Sequence, residues 1–249
     1  MTMRRTMACL IGLLGLVGVS AGAAGAEAND VAARHEMVRV IELQVAMLSA
    51  ETGIEQLDPQ VLDAMREVPR HAFVPAPLRA YAYGDHPLPV TADQNIAAPL
   101  LVALMTHVVA LRPDDVVYET GTGAGYHAAV LSRLVRHVYS VEVDEPLADR
   151  ATELLKELHY DNVHVQASDG YFGWSAHAPY DAMVIKEAID HVPPPLLAQL
   201  KRGGRMVLPL GPARGPQYLT VITKGADGTV SEQRIMPVRF SPLQGGERT

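Results

Sequence analysis

Three glycines at alternate positions, Gly121, Gly123 and Gly125, follow a short β-prone run, Val116 to Thr120. Apolar residues at helical spacing then run from Tyr126 to Leu134. Strand, glycine turn and helix together present bare main chain to a nucleotide-like ligand, because a Cβ in the turn would clash with a ligand lying against it. The helix start adds N–H groups that have no partner within the helix. The spacing is G-x-G-x-G, which differs from the G-x-G-x-x-G of pyrophosphate-binding folds. The glycines alone also fit an ordinary tight turn, and the residues downstream decide between the two.

Three acids supply that support. Glu119 sits two residues before the first glycine, where a ligand ammonium could be held. Glu142 ends the next β-prone run, at the distance from which an acid accepts from both ribose hydroxyls. Asp169, in Ser168-Asp169-Gly170, follows the third run and could accept from the exocyclic amine of adenine. Each acid alone reads as a solvated strand end. Together they describe a ligand with an amine, a ribose and an adenine but no required phosphate, which is S-adenosylmethionine.

These residues must be positioned by alternating strands and helices. Helical spacing is expected over Ala32 to Leu48, from Asp58-Pro59 to Val68, and over Leu100 to Leu111, Tyr126 to Leu134, Pro146 to Leu158 and Pro194 to Leu200. Strands are expected at 116–120, 137–143, 163–167, 180–185 and 205–210, with Gly203-Gly204 stopping the helix before the last. A hairpin is expected around Gly225-Ala226-Asp227-Gly228. Prolines at 69, 75, 77, 87 and 89 forbid a long helix and predict an ordered, tyrosine-bearing loop. The fold class is α/β, a mostly parallel sheet with antiparallel strands at one edge.

Composition sets the outer bounds. The chain has 249 residues with 48% hydrophobic and 20% charged content, and a net charge of −7 that argues against nucleic acid as a partner. Arg4 and Arg5, the apolar run Ala8 to Val19 and the closing Ala24-Gly25-Ala26 read as a secretory signal cut before Glu27. An uncleaved anchor is the competing reading, and the run is short for a span of about 20 residues. Cys9 is the only cysteine, so the processed chain would have no disulfide, thiolate metal site or cysteine nucleophile. Ten histidines show no zinc-protease spacing, and no metal is expected. The expected organisation is a signal peptide at 1–26, a helical cap region at 27–112 and a donor-binding α/β core at 113–249. The exported, periplasmic form is expected to be a monomer without stable membrane association.

The chain resembles the protein-L-isoaspartate O-methyltransferase family over nearly all of the processed length. The resemblance rests on Val68-Pro69-Arg70 to Phe73-Val74-Pro75, on Gln94-x-Ile96-x-x-Pro99, and on Glu119-x-Gly121-Thr122-Gly123-x-Gly125-Tyr126. Asp169-Gly170-Tyr171, Gly173-Trp174, Pro179-Tyr180-Asp181-Ala182, Leu200-Lys201-x-Gly203-Gly204-Arg205 and Pro237-Val238-Arg239-Phe240 extend it. It implies a Rossmann-like seven-stranded methyltransferase sheet with helices on both faces, an N-terminal helical cap and a C-terminal antiparallel hairpin. It also implies S-adenosylmethionine as methyl donor and an L-isoaspartyl carboxylate, in damaged proteins or peptides, as acceptor. Glu119, Gly121, Thr122, Gly123, Gly125, Tyr126, Glu142, Asp169 and Gly170 would bind the donor.

Two departures bear on the acceptor. The family commonly reads Gly-Gln-Thr-Ile-Ser where this chain has Asp93-Gln94-Asn95-Ile96-Ala97, so the serine at the acceptor site is Ala97. After the fourth strand, small residues give way to Lys186-Glu187. Lys186 is the candidate replacement cation, with a solvent-reaching lysine as the plain alternative, and Glu187 could repel a carboxylate. A different acceptor, or donor binding without turnover, are the rival expectations.

Overall fold

A computed structural model describes residues 18–91 and 94–245. The expected signal peptide falls for the most part outside the described residues. The chain opens with α1 (Gly18–Thr52) and α2 (Pro59–Glu67). Asp58 caps α2 by accepting from Gln60 N, and Pro59 sits where a missing N–H costs nothing. The proline-rich stretch that follows folds as two 3-10 turns, Arg70–Phe73 and Ala76–Tyr81. It then makes a two-residue antiparallel pair, β1 (Leu88–Pro89) with β2 (Asn95–Ile96). α3 (Pro99–Val108) leads to the main sheet.

From there strands and helices alternate as expected: β3 (Val116–Thr120), α4 (Tyr126–Ser132), β4 (His137–Glu142), α5 (Glu145–Glu157), β5 (Val163–Ala167) and β6 (Tyr180–Val184). α6 (Pro194–Gln199), β7 (Leu200–Leu210), β8 (Gln217–Lys224) and β9 (Val230–Val238) complete the fold. The seven-stranded sheet has the order β5-β4-β3-β6-β7-β8-β9. Neighbours are parallel from β5 to β7, and β8 and β9 are antiparallel additions at one edge.

Several boundaries differ from the sequence reading: α1 spans Gly18–Thr52 where Ala32 to Leu48 was expected, α3 stops at Val108 short of Leu111, and the start of β7 moves furthest among the strands. β7 begins at Leu200, straight out of α6, and not at Arg205 after a glycine stop. Gly203, at φ +83°, lets the chain kink within the strand, and the pairing with β6 slips between Tyr180 and Ala182. The two glycines therefore bend a strand where they were expected to end a helix.

The pleat divides the sheet's residues between two cores. Val117, Val138, Ala182, Val184 and Val207 point to one face, where Met37, Val38, Ile41 and Val45 of α1 share a cluster with α2, α3 and α4. Tyr118, Val141, Met183, Met206 and Leu208 point to the other, against Leu196 of α6. The N-terminal helices are thus packed into the same apolar layer as the sheet's own helix α4. The strand order reverses between β3 and β6. In an open α/β sheet that switch point places a crevice beyond the carboxyl ends of those two strands.

Candidate active site

The crevice is present as a cavity of about 280 Å³. The turn after β3 and Lys186-Glu187 after β6 form its floor. Glu142 and Gly170 come from the ends of the neighbouring strands. Asn95 to Ala98 and the segment from Arg239 to Gln244 close the remaining sides.

The turn is held by a chain of hydroxyls. Thr122 N donates to Val141 O at 3.2 Å, and Thr122 Oγ1 lies 2.7 Å from Ser140 Oγ. Ser140 in turn donates to Glu119 Oε2 at 2.6 Å. With Ser140 donating to the carboxylate, Thr122 is the donor of the pair. Gly121 and Gly123 have φ +60° and +57°, which side chains with a Cβ rarely adopt. A Cβ on Gly123 would meet nothing nearer than Gly121 O at 3.8 Å, so its bare Cα faces open cavity.

Glu142 is almost fully buried beside that turn. Its carboxylate accepts from Gly123 N at 2.9 Å, from Asp144 N at 3.2 Å and from Gln94 Nε2 at 3.2 Å. Gln94 ties the β1–β2 segment to the carboxylate expected to read a ribose.

Behind the cavity wall Glu119 is wholly buried, and Lys186 Nζ stands 2.7 Å from its Oε1. Burial pushes the Glu119 carboxyl up, and Lys186 pulls it back. His127 Nε2 is 3.0 Å from Thr106 Oγ1, whose hydroxyl donates to Val102 O. The ring therefore carries its proton on Nε2, and burial followed by the nearby Lys186 charge holds it well below its ordinary value, so it is neutral. Glu187 lies beside this group. Its Oε2 accepts from Thr120 Oγ1 at 2.5 Å, and its enclosure pushes the carboxyl up to about 7.

Ala97 is positioned from below by Arg70, the largest fully buried side chain. Arg70 donates through Nε to Ala82 O at 2.8 Å and through Nη2 to Ala97 O at 2.9 Å, with its guanidinium 4.8 Å from the Tyr126 ring centre. Burial raises the Tyr126 hydroxyl to about 12, so it stays protonated.

Of the residues expected from sequence, Gly121, Thr122, Gly123, Tyr126, Glu142, Gly170, Ala97 and Lys186 all line this one cavity. Three stand back from it. Glu119 is the buried partner of Lys186 and presents nothing to a ligand ammonium. Gly125, at φ +94°, precedes α4, and a Cβ there would press on Leu155 of α5 at 3.1 Å. Its absence of side chain serves helix packing. Asp169 accepts from Tyr171 N at 2.9 Å, capping a short turn, and lies so close to Gly245 that a Cβ there would sit 1.9 Å from its Oδ2. The C-terminal segment thus lies directly against the carboxylate expected to read an adenine. Sequence reasoning did not single out Gln94, Arg70 or Arg239 as site residues, although all three fall within the motifs that carry the family resemblance. Arg239 is an exposed cation at the cavity rim.

Residues 45–248 match the family model described as protein-L-isoaspartate(D-aspartate) O-methyltransferase. The chain is 50% identical over 212 residues to protein-L-isoaspartate O-methyltransferase 1 of Cupriavidus necator, covering 85% of this chain and 82% of that one. It is 47% identical over 244 residues to protein-L-isoaspartate O-methyltransferase 2 of Syntrophobacter fumaroxidans, covering 98% and 99%. Among solved structures, a protein-L-isoaspartate O-methyltransferase aligns with a TM-score of 0.69 and 27% identity over 82% of this chain and 66% of that one. A Plasmodium falciparum chain solved with S-adenosyl-L-homocysteine has a TM-score of 0.69 at 20% identity, over 85% and 98%, a likeness that speaks for the fold alone.

Proposed function

The chain belongs to the protein-L-isoaspartate O-methyltransferase family, and from that premise we propose how its residues share the methylation of isoaspartyl carboxylates in proteins and peptides. It is an S-adenosylmethionine-dependent methyltransferase. The observation that carries the assignment of the cleft is the bare main chain of Gly121 and Gly123 beside the buried Glu142 carboxylate, at the switch point of the sheet. A nucleoside with two ribose hydroxyls fits that arrangement, since a carboxylate there can accept both.

The donor, when bound, supplies an electrophilic methyl group on a sulfonium. The chain's task is placement. An isoaspartyl carboxylate is ionised at neutral pH, so no general base is required. The acceptor oxygen must instead be held in line with the methyl–sulfur bond. Gly121, Thr122, Gly123 and Glu142 hold the donor side. The Ala97 segment, fixed by Arg70, forms the acceptor side. It offers no hydroxyl, and Lys186 has its charge engaged by Glu119. Arg239, at the rim, is the cation that would draw the acceptor carboxylate in.

The N-terminal pattern of Arg4-Arg5, the apolar run and Ala24-Gly25-Ala26 supports an exported, periplasmic enzyme that acts as a monomer on proteins aged outside the cytoplasm. Among the described residues no helix is long and apolar enough to cross a membrane. Export places the enzyme where its donor is not made, so donor must reach that compartment.

Calorimetry with S-adenosylmethionine, followed by methyl transfer to an isoaspartyl peptide, tests the cleft and the acceptor in turn. Binding and transfer are expected. Binding without transfer would point to another acceptor, and no binding would remove the donor-site assignment. N-terminal sequencing of the protein recovered from fractionated cells decides export: a start at Glu27 in the periplasmic fraction is the expected result.

A further inference from the structure

Three carboxylates, Glu119, Glu142 and Glu187, surround the cavity floor with one ammonium, Lys186. Glu119 and Lys186 cancel one another at 2.7 Å. Glu142 is shared among three N–H donors. Glu187 has neither arrangement: among the described residues its carboxylate has one hydrogen-bond donor, the Thr120 hydroxyl, and no cation within ion-pair distance. It is nevertheless half-buried in the cavity wall. A Cβ on Gly121 would stand 1.8 Å from Glu187 Oε1, so the carboxylate occupies the room that this glycine leaves. Glycine turn and acid thus form one surface of the donor cleft.

The donor and its demethylated product share amine, carboxylate, ribose and adenine. They differ by a methyl group and by one positive charge at sulfur. Contacts to the shared groups cannot tell them apart. A carboxylate in a poorly solvated wall can, because its interaction with a unit charge is several-fold stronger there than in water. We propose that Glu187 makes the cleft charge-selective, holding the cationic sulfonium donor and releasing the neutral thioether product. The proposal rests on the reading of this cleft as the donor site and assigns Glu187 a part in specificity in place of acceptor repulsion.

The charged groups around Glu187 are Lys186 beside it, Glu119 at the end of β3 and Glu142 at the end of β4, with Arg239 lining the same cavity. Because its carboxyl titrates at about 7, a fraction is protonated in the ligand-free protein near neutrality. A sulfonium arriving beside it would expel that proton.

The test is calorimetric titration of the full-length protein with S-adenosylmethionine and with S-adenosylhomocysteine, near pH 8 and near pH 6, for wild type, Glu187→Gln and Glu187→Ala. The wild type is expected to prefer the donor by about tenfold or more near pH 8, equivalent to one decade in Kd. In Glu187→Gln that preference falls to within about twofold, through weaker donor binding with product binding unchanged. Near pH 6, donor binding to the wild type should release a proton, read from titrations in buffers of different ionisation heat. Product binding should not. Equal weakening of both ligands in the variants would overturn the proposal, since Glu187 would then be reading a shared group, and unchanged affinities would overturn it as well. The proton-release measurement needs no variant, so its absence on donor binding counts against the proposal even if both substitutions misfold. A wild type that binds neither nucleoside would instead sink the donor-site reading itself.

Discussion

Lys186 Nζ stands 2.7 Å from Glu119 Oε1, joining the ends of the two strands that flank the switch point by a buried ion pair. Lys186→Thr, which restores the small polar residue usual in the family, would leave Glu119 buried without its partner. Breaking such a pair costs about 3–5 kcal/mol. Urea unfolding near neutral pH should show a loss of that order. The loss should shrink in acid: a carboxyl whose folded value is raised contributes stability below its unfolded value and loses it as pH rises through the folded one. Glu119→Gln combined with Lys186→Thr should recover part of the stability at neutral pH.

Glu187 gives the same logic a clearer window, because its carboxyl is raised from 4.5 to about 7. Charging it in the folded protein costs about 3 kcal/mol, taking 1.36 kcal/mol for each unit. Glu187→Gln carries no charge at any pH. It should therefore match the wild type near pH 4 and become more stable than it as pH rises through 7, by up to that amount. Unfolding midpoints measured across this range would refute the assignment if the difference stayed constant.

The two cavity glycines should respond differently to alanine. Gly121→Ala places a Cβ 1.8 Å from Glu187 Oε1, in addition to the strain of φ +60°. It should destabilise by more than the roughly 1–3 kcal/mol of a left-handed alanine, and Glu187→Ala should relieve the excess. Gly123→Ala meets open space, so it should cost only the backbone strain while its methyl obstructs the cleft. Thermal unfolding and donor titration of both variants separate the effects.

Ala97→Ser restores a hydroxyl to the acceptor side of the cavity. If it donates to the acceptor in the transition state, kcat/KM toward an isoaspartyl peptide should rise about tenfold or more. Donor affinity should stay unchanged. A gain in donor affinity with no kinetic gain would place residue 97 on the wrong side of the site.

Much of this architecture can be read from local pattern. Val116 to Leu134 contains strand, turn and helix in one stretch, and Glu142 follows at a distance set by a single helix and strand. Residues outside that local logic are harder to place. Nothing near Glu119 announces that its partner is Lys186, because the parallel pairing of β3 with β6 brings them together only after the chain has passed through β4 and β5. Gly125 belongs to the same motif as Gly121 and Gly123, yet its neighbour is Leu155, a residue of the next helix. Gly203 and Gly204 carry a stop signal for a helix but lie inside β7, where tertiary pairing with β6 overrides it. Asp169 is at a strand end as expected, and only the path of the distant C-terminal segment decides what stands beside it.

The Thr120 side chain accepts from Lys186 N at 3.1 Å across 66 intervening steps of sequence. Closing so long a loop is slow compared with forming any helix of the chain. Catalytic competence should accordingly wait for β6 to dock beside β3: a fragment ending before β6 carries the glycine turn and Glu142 but lacks Lys186, Glu187 and the C-terminal segment that line the cavity.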